Sequence, residues 1–274
     1  VPSQQKLRSD ILGLTYTKTT MKLLIDADYI VYKCCAACET EIDYGEDVIL
    51  VTSNFSEAYS AVKREISNIQ MQFGSFAKPT LFFSDSKNFR KKIFPEYKGH
   101  RNRKKPCGYK RVISGLKIEY DVIVMPQLEA DDAMGIYATK LTGNIIVSPD
   151  KDMRQIPGKL YNLEDTTTIT PEEGAKWHLI QTLAGDQTDG YSGVPGIGVK
   201  RATTLFEKEG YSWATVVKAF EDKGLTEEDA LCNARLARIL TNEDYDSQKQ
   251  EPRLWTPTPE YQIDSGTGVQ IEVS

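Results

Sequence analysis

Short runs of apolar residues, each closed by carboxylates, recur along the chain. Leu23-Leu24-Ile25 ends in Asp26-Ala27-Asp28, Leu81-Phe82-Phe83 in Ser84-Asp85, and Ile145-Ile146-Val147 in Ser148-Pro149-Asp150-Lys151-Asp152. A fourth run, Val122 to Met125, leads into Leu128-Glu129-Ala130-Asp131-Asp132. The runs are β-branched or aromatic and are followed by helix-like sequence, the pattern of buried parallel strands in an α/β fold. In an open α/β sheet, ligands sit beyond the carboxyl ends of the strands, so four such strands would bring their acids to one rim. Asp is also a preferred helix N-cap, which explains any single one of these residues. A cap needs one carboxylate, and three of the four strand ends carry more.

Between the strands the pattern turns helical. Phe55, Tyr59, Val62, Ile66, Ile69 and Phe73 recur at three- and four-residue steps, as one helix face does. An edge strand is expected at Val48 to Thr52 and a short strand near Leu160. Pro171-Glu172-Glu173 opens a helix carrying Trp177, Leu179, Ile180 and Leu183. It runs into Gly185-Asp186-Gln187-Thr188-Asp189-Gly190, two further carboxylates three residues apart. Next comes Gly193-Val194-Pro195-Gly196-Ile197-Gly198-Val199-Lys200-Arg201. No strand precedes it, so it is not a dinucleotide fingerprint, and its spacing is not that of a P-loop. It is either a plain turn between helices or one whose N–H groups, at the start of the next helix, receive a phosphate with help from Lys200 and Arg201. Further helices are expected over Ala202 to Phe206, Trp213 to Phe220 and Glu227 to Leu240. Five Pro and Gly residues after Glu251 predict an irregular tail. Residues 1 to 20 are polar and aperiodic, so the folded protein is expected to begin at Met21 and to tolerate their removal.

Charge is segregated. Ser86 to Lys117 holds twelve Lys or Arg and one acid, a net of +11 in a chain whose net is −5, which leaves −16 elsewhere. A basic stretch directly after an acidic strand end fits an anionic polymer laid over the rim. Phe89, Phe94, Tyr97 and Tyr109, interleaved with the cations, could stack on unpaired bases. Three carboxylates as close as Glu129, Asp131 and Asp132 need a positive species between them: Arg or Lys, or a divalent ion with oxygen ligands. The five cysteines have no framework spacing, and Cys34-Cys35-x-x-Cys38 falls in an apparent helix. With only two His in the chain, core thiols are expected rather than zinc. No run approaches the roughly 20 apolar residues that cross a bilayer, and no signal peptide is evident, so no membrane is expected.

Taken in order, Asp26, Ser84-Asp85, Phe94-Pro95-Glu96-Tyr97-Lys98-Gly99 with Arg101, Glu129-Ala130-Asp131-Asp132, Asp150-Lys151-Asp152, and Gly185-Asp186-x-x-Asp189 followed by Gly193-x-x-Gly196-Ile197-Gly198 resemble the 5'-nuclease (flap endonuclease) superfamily. The chain looks closest to the phage 5'-to-3' exonuclease branch, and the resemblance spans roughly residues 21 to 205. It implies a PIN-like α/β nuclease domain over 21–165, with a helical arch or clamp from 86 to 117. It also implies a helical DNA-binding subdomain over 166–250, whose helix-hairpin-helix-type element occupies 185–205, before a tail at 251–274. Two Mg2+, or Mn2+ in their place, would be held by Asp26, Asp85, Glu129 and Asp131 with Asp132 nearby, and by Asp150, Asp152 and Asp186 with Asp189 in support. Lys98 and Arg101 would meet the scissile phosphate, and Tyr97 would stack on the terminal base. Arg90, Lys91, Arg103, Lys104, Gly193, Gly196, Gly198, Lys200 and Arg201 would contact DNA, with K+ at the glycine element. The implied setting is the cytoplasm, that of the host for a phage protein. The implied substrate is DNA with 5' ends or flaps, in company with replication proteins. RNA primers in RNA–DNA hybrids, a non-catalytic branched-DNA binder and a PIN-type ribonuclease remain the alternatives.

Overall fold

The computed structural model describes residues 21–101, 104–257 and 261–263. The 1–20 extension, Arg103 and the chain from residue 264 lie outside the described residues. In chain order the elements are β1 (Lys22–Asp26), α1 (Ala27–Ala37), β2 (Glu39–Asp43), β3 (Ile49–Ser53), α2 (Phe55–Phe73), β4 (Lys78–Phe82), α3 (Arg90–Ile93), α4 (Tyr109–Glu119), β5 (Asp121–Ile123) and α5 (Ala130–Lys140). There follow β6 (Ile145–Val147), a 3-10 turn (Lys151–Gln155), β7 (Gly158–Tyr161), β8 (Thr166–Ile169), α6 (Pro171–Ala184), α7 (Val199–Glu209), α8 (Trp213–Glu221) and α9 (Glu227–Ala237).

The main sheet runs β5-β4-β1-β6-β7-β8. Its pairs are parallel from β5 to β7, with Ile25 beside Leu81 and Val147 at the centre. Because side chains alternate across a strand, Leu23 and Ile25 pack with α1, α2 and α4, while Leu24 packs with Met134 of α5 and Ile146 on the other face. That double burial is why the strands read as unbroken apolar runs. A third core joins α6 to α9 around Leu179, Leu183, Phe206, Val216 and Phe220.

Two expectations change. Thr166–Ile169 pairs antiparallel with β7, so the sheet extends past residue 165 and the helical subdomain starts at Pro171. The strand near Val48 pairs with β2 as a separate hairpin, not as an edge of the main sheet. The tail is irregular as expected, and its described residues pack on the helical core: the Tyr261 carbonyl accepts from Trp213 N (3.0 Å), Ile263 N donates to Tyr211 O (2.9 Å), and Trp255 meets Trp213, His178 and Tyr261 edge to face. Cys34 and Cys35 are buried thiols of α1 as expected, Cys38 after it is only partly buried, and all five cysteines are free of disulfides. Among the described residues no helix is long and apolar enough to cross a membrane.

Candidate active site

The carboxyl ends of β1, β4 and β6 and the start of α5 open on one cleft of about 600 Å3, lined by Asp26, Asp85, Glu129, Asp131, Asp150 and Asp152 among others. Capping and function share these side chains. Asp26 caps α1, its Oδ1 accepting from Tyr29 N at 3.2 Å, while Oδ2 takes the Ser148 hydroxyl at 3.2 Å. Asp150 caps the 3-10 turn through Asp152 N (2.9 Å). One oxygen does the capping, which leaves the other to the cleft in Asp150 and to the Ser148 hydroxyl and the cleft in Asp26. Asp85 takes the Gln127 and Ser86 amides at 2.8 and 2.7 Å, and the Gln127 N–H in particular holds its carboxyl below the usual range.

The cations are unevenly shared. The Lys98 ammonium bonds Glu129 and sits 3.4 Å from Asp189 Oδ2, and Arg101 Nη2 reaches Asp189 Oδ1 at 2.6 Å. Burial would raise Glu129, but Lys98 and Arg90 bring it down to about 2. Lys151 lies 2.6 Å from Asp186 Oδ2 and 3.0 Å from Asp152 Oδ1. Burial followed by the Asp150 charge still pushes Asp152 up to about 6. Among the described residues no cation bonds to Asp26, Asp85, Asp131 or Asp150, and of these four Asp85 has backbone amides on both oxygens. Burial and then the Asp28 carboxylate push Asp26 up to about 7. Asp131 is raised well above the carboxylate range by burial, then by Asp26, Asp150 and Glu129. Its Oδ1 is buried with no hydrogen-bond partner.

Among the described residues no group of three or more Asp, Glu, His or Cys is arranged to hold an ion as it stands. The side chains themselves give the reason: ammonium groups lie on Glu129, Asp152 and Asp186, and the uncompensated trio repel one another. The donor set nevertheless fits a divalent cation. It is all oxygen, which suits Mg2+ or Mn2+, and it contains a buried orphan oxygen beside two like charges, a deficit a cation removes.

Three residues stand elsewhere than expected, and a fourth is explained by packing. Asp132 is fully buried and Arg90 is 1% exposed, with Nη1 and Nη2 on the two Asp132 oxygens at 2.6 and 2.8 Å. Arg90 also donates to the carbonyls of Leu236 (3.0 Å) and Arg238 (2.5 Å). Asp132 is therefore not an ion ligand and Arg90 is not on the DNA face: each neutralises the other. Tyr97, 2% exposed, cannot stack on a base; its hydroxyl lies 2.7 Å from Asp189 Oδ2 and 3.0 Å from Glu129 Oε2 and can donate to either. Gly193 is glycine for a packing reason, since the place of a Cβ there is filled by the backbone of Leu183 and Ala184. It lets the loop carrying Asp186 and Asp189 lie against α6, with Val194 N on Leu183 O at 2.8 Å. We expect Gly193→Ala to displace that loop, lowering cleavage far more than DNA affinity; unchanged turnover would show that the backbone adapts.

The other candidates keep open positions. Gly196 turns the chain in the left-handed region (φ 79°), and Gly198 caps α7 with free space at its Cβ position. Lys91, Lys104, Lys200 and Arg201 are exposed. Sequence reasoning passed over Asp28, whose Oδ1 accepts the Tyr109 hydroxyl (2.6 Å) and whose Oδ2 accepts Ser84 N (2.7 Å). It thereby ties α4 to the rim, and the Asp26-x-Asp28 repeat was its signal. Lys151, between two quoted acids, was passed over too.

Residues 21–177 match the family model described as 5'-3' exonuclease, N-terminal resolvase-like domain. The chain belongs to the 5'-3' exonuclease family. An exodeoxyribonuclease of Enterobacteria phage T3 is 29% identical over 282 residues, covering 86% of this exonuclease and 92% of the relative. The exonuclease of Escherichia phage T7 is 29% identical over 279 residues, covering 86% and 93%. In fold, the exonuclease is similar to a bacteriophage T5 protein co-crystallised with metal ions, with a TM-score of 0.61, 16% identity and coverage of 80% and 89%.

Proposed function

We propose that the exonuclease hydrolyses DNA phosphodiester bonds near 5' ends with two divalent cations, Mg2+ or in its place Mn2+, held in the carboxylate cleft. The observation carrying this reading is the uncompensated trio Asp26, Asp131 and Asp150 around an orphan buried oxygen. Asp26, Asp85, Glu129 and Asp131 would hold one ion. Asp150, Asp152 and Asp186, with Asp189 in support, would hold the other. When bound, such a pair supplies a hydroxide from water at neutral pH and stabilises charge on the attacking and leaving oxygens.

The protein's own groups position the strand. Lys98 sits at a left-handed φ of 54°, its N–H bonded to Asp189 O at 2.7 Å, which aims its side chain at the rim from a fixed base. Its ammonium and the Arg101 guanidinium meet the non-bridging oxygens of the scissile phosphate, where charge grows in the transition state. Tyr97 holds Glu129 and Asp189 in register beneath them. The exposed Lys91 and Lys104 bind phosphates without reading bases. Gly196, Gly198, Lys200 and Arg201 grip the duplex at the start of α7, with K+ at the turn. Relatives named 5'-3' exonuclease support the polarity, and a T5 flap endonuclease crystallised with DNA and metal ions supports both ligand classes.

The test uses one duplex with a recessed 5' end, one with a 5' flap and one RNA–DNA hybrid, each with and without Mg2+. We expect Mg2+-dependent product from the wild type, abolished in Asp150→Ala with DNA affinity largely retained. Product lengths separate trimming from flap removal. Tight binding without cleavage in either metal would overturn the reading.

A further inference from the structure

Lys151 occupies a position that the reaction does not explain. It opens the 3-10 turn between Asp150 and Asp152, so its backbone belongs to the ligand loop, and its side chain is 51% exposed. Yet the ammonium turns inward onto Asp186 Oδ2 and Asp152 Oδ1, the pair assigned above to the second ion. The other partners of these carboxylates leave Asp186 Oδ2 to the lysine, while Asp152 Oδ1 is shared. Asp186 Oδ1 takes the Thr188 and Asp189 amides at 2.7 and 3.2 Å, and Asp152 Oδ1 also accepts from Gln181 Nε2 at 2.5 Å. Asp186 Oδ2 has the lysine alone among the described residues.

An ammonium and a divalent ion cannot share these oxygens, because both need the same lone pairs and their charges repel. The lysine has room to leave. Beside it lies a second cavity, of about 570 Å3, lined by Lys151 itself and by Arg154, Asn162, Thr167, Thr168 and Trp177. Arg154 lies over the Trp177 ring at 5.5 Å, against the wall of that cavity. Of the ligands assigned to the first ion, Asp26, Asp85 and Asp131 have no bonded cation among the described residues, and Glu129 alone meets Lys98 and Arg90.

We infer that Lys151 is a built-in, displaceable cation for the second metal position: it neutralises Asp152 and Asp186 when that position is empty and must swing into the neighbouring cavity before a divalent ion enters. It thereby orders the two positions: of the four ligands of the first position only Glu129 meets a cation, so that position fills at lower ion concentration than the one whose Asp152 and Asp186 are both held by Lys151. This rests on the two-ion reading of the cleft.

Mn2+ binding to the metal-free full chain, followed by electron paramagnetic resonance and calorimetry, tests it. The wild type should show a tight and a weaker class, and Asp186→Asn should remove the weaker one. Lys151→Gln should tighten the weaker class about three- to tenfold, the scale of an exposed ammonium's hold on two carboxylates, while shifting the tight class less than about twofold. The same variant should melt below the wild type without metal. Lys151→Arg, which retains the charge, should leave the weaker class at or below wild-type affinity. A weaker class unchanged or loosened in Lys151→Gln overturns the inference while the two-ion reading stands. A wild type that binds fewer than two Mn2+ overturns that reading, and the inference with it.

Discussion

Asp131→Asn will melt higher than the wild type in metal-free buffer at pH 8, and will cleave on the order of a thousandfold more slowly or worse with metal present. The opposite signs have one cause. Asp131 stands beside Asp26 and Asp150 with a buried oxygen that nothing bonds. Removing its charge relieves repulsion in the empty cleft, and removes a donor when an ion must be held. The gain depends on pH. Burial and Asp28 raise Asp26 to about 7, and burial with the Asp26, Asp150 and Glu129 charges raises Asp131 well above the usual carboxylate range. The folded state therefore keeps protons that the unfolded chain loses above about pH 4. Folding is favoured by these groups at the acid end, and the contribution is lost as pH rises through the folded values. Buried His178, lowered to about 3 mainly by desolvation, acts oppositely: its neutral folded form costs stability as pH falls below about 6.5. Because His178 is common to both proteins, the difference between their melting temperatures isolates the cleft. That difference should widen from pH 5 to pH 8, and Mn2+ should raise the wild type more than the variant. A variant no more stable than the wild type at pH 8 would mean that a protein cation already compensates Asp131.

Arg90→Met will cost about 3–5 kcal/mol of folding stability, the scale for leaving one member of a buried ion pair alone. Asp132 would remain at zero exposure with only the Leu240 and Glu129 amides, at 3.2 and 3.4 Å, to face its charge. The loss reaches beyond the pair. The guanidinium joins α3, the start of α5 and the carbonyls at the end of α9, and its Nη1 lies 3.4 Å from Glu129 Oε2. The basic segment, a cleft carboxylate and the helical subdomain thus share one fork. Arg90→Lys should recover little, since an ammonium cannot serve these directions together. Replacing both residues by apolar ones should cost less than the sum of the single changes. Urea unfolding measures all of this, and a loss below about 1 kcal/mol for Arg90→Met would mean that water reaches Asp132.

What the sequence determined by itself was local or periodic. Leu23 to Ile25, Leu81 to Phe83 and Ile145 to Val147 could be read as strands because a sheet covered on both faces demands unbroken apolar runs. Their acidic ends marked the rim because such strands point the same way. The glycine turn announced itself through residues that few other backbones need. The tertiary structure decided which charge meets which. Arg90 and Asp132 are 42 residues apart, and nothing local distinguishes a basic residue that binds DNA from one that neutralises a buried acid. The same holds for Tyr97, an aromatic among cations that proved to be a buried donor to Glu129 and Asp189. Gly193 is glycine because α6 passes against it, and β8 belongs to the sheet because Thr166 to Ile169 finds β7. Composition and spacing put the acids on one rim, but the energy of a buried charge depends on partners within a few ångströms, and only the folded chain supplies those.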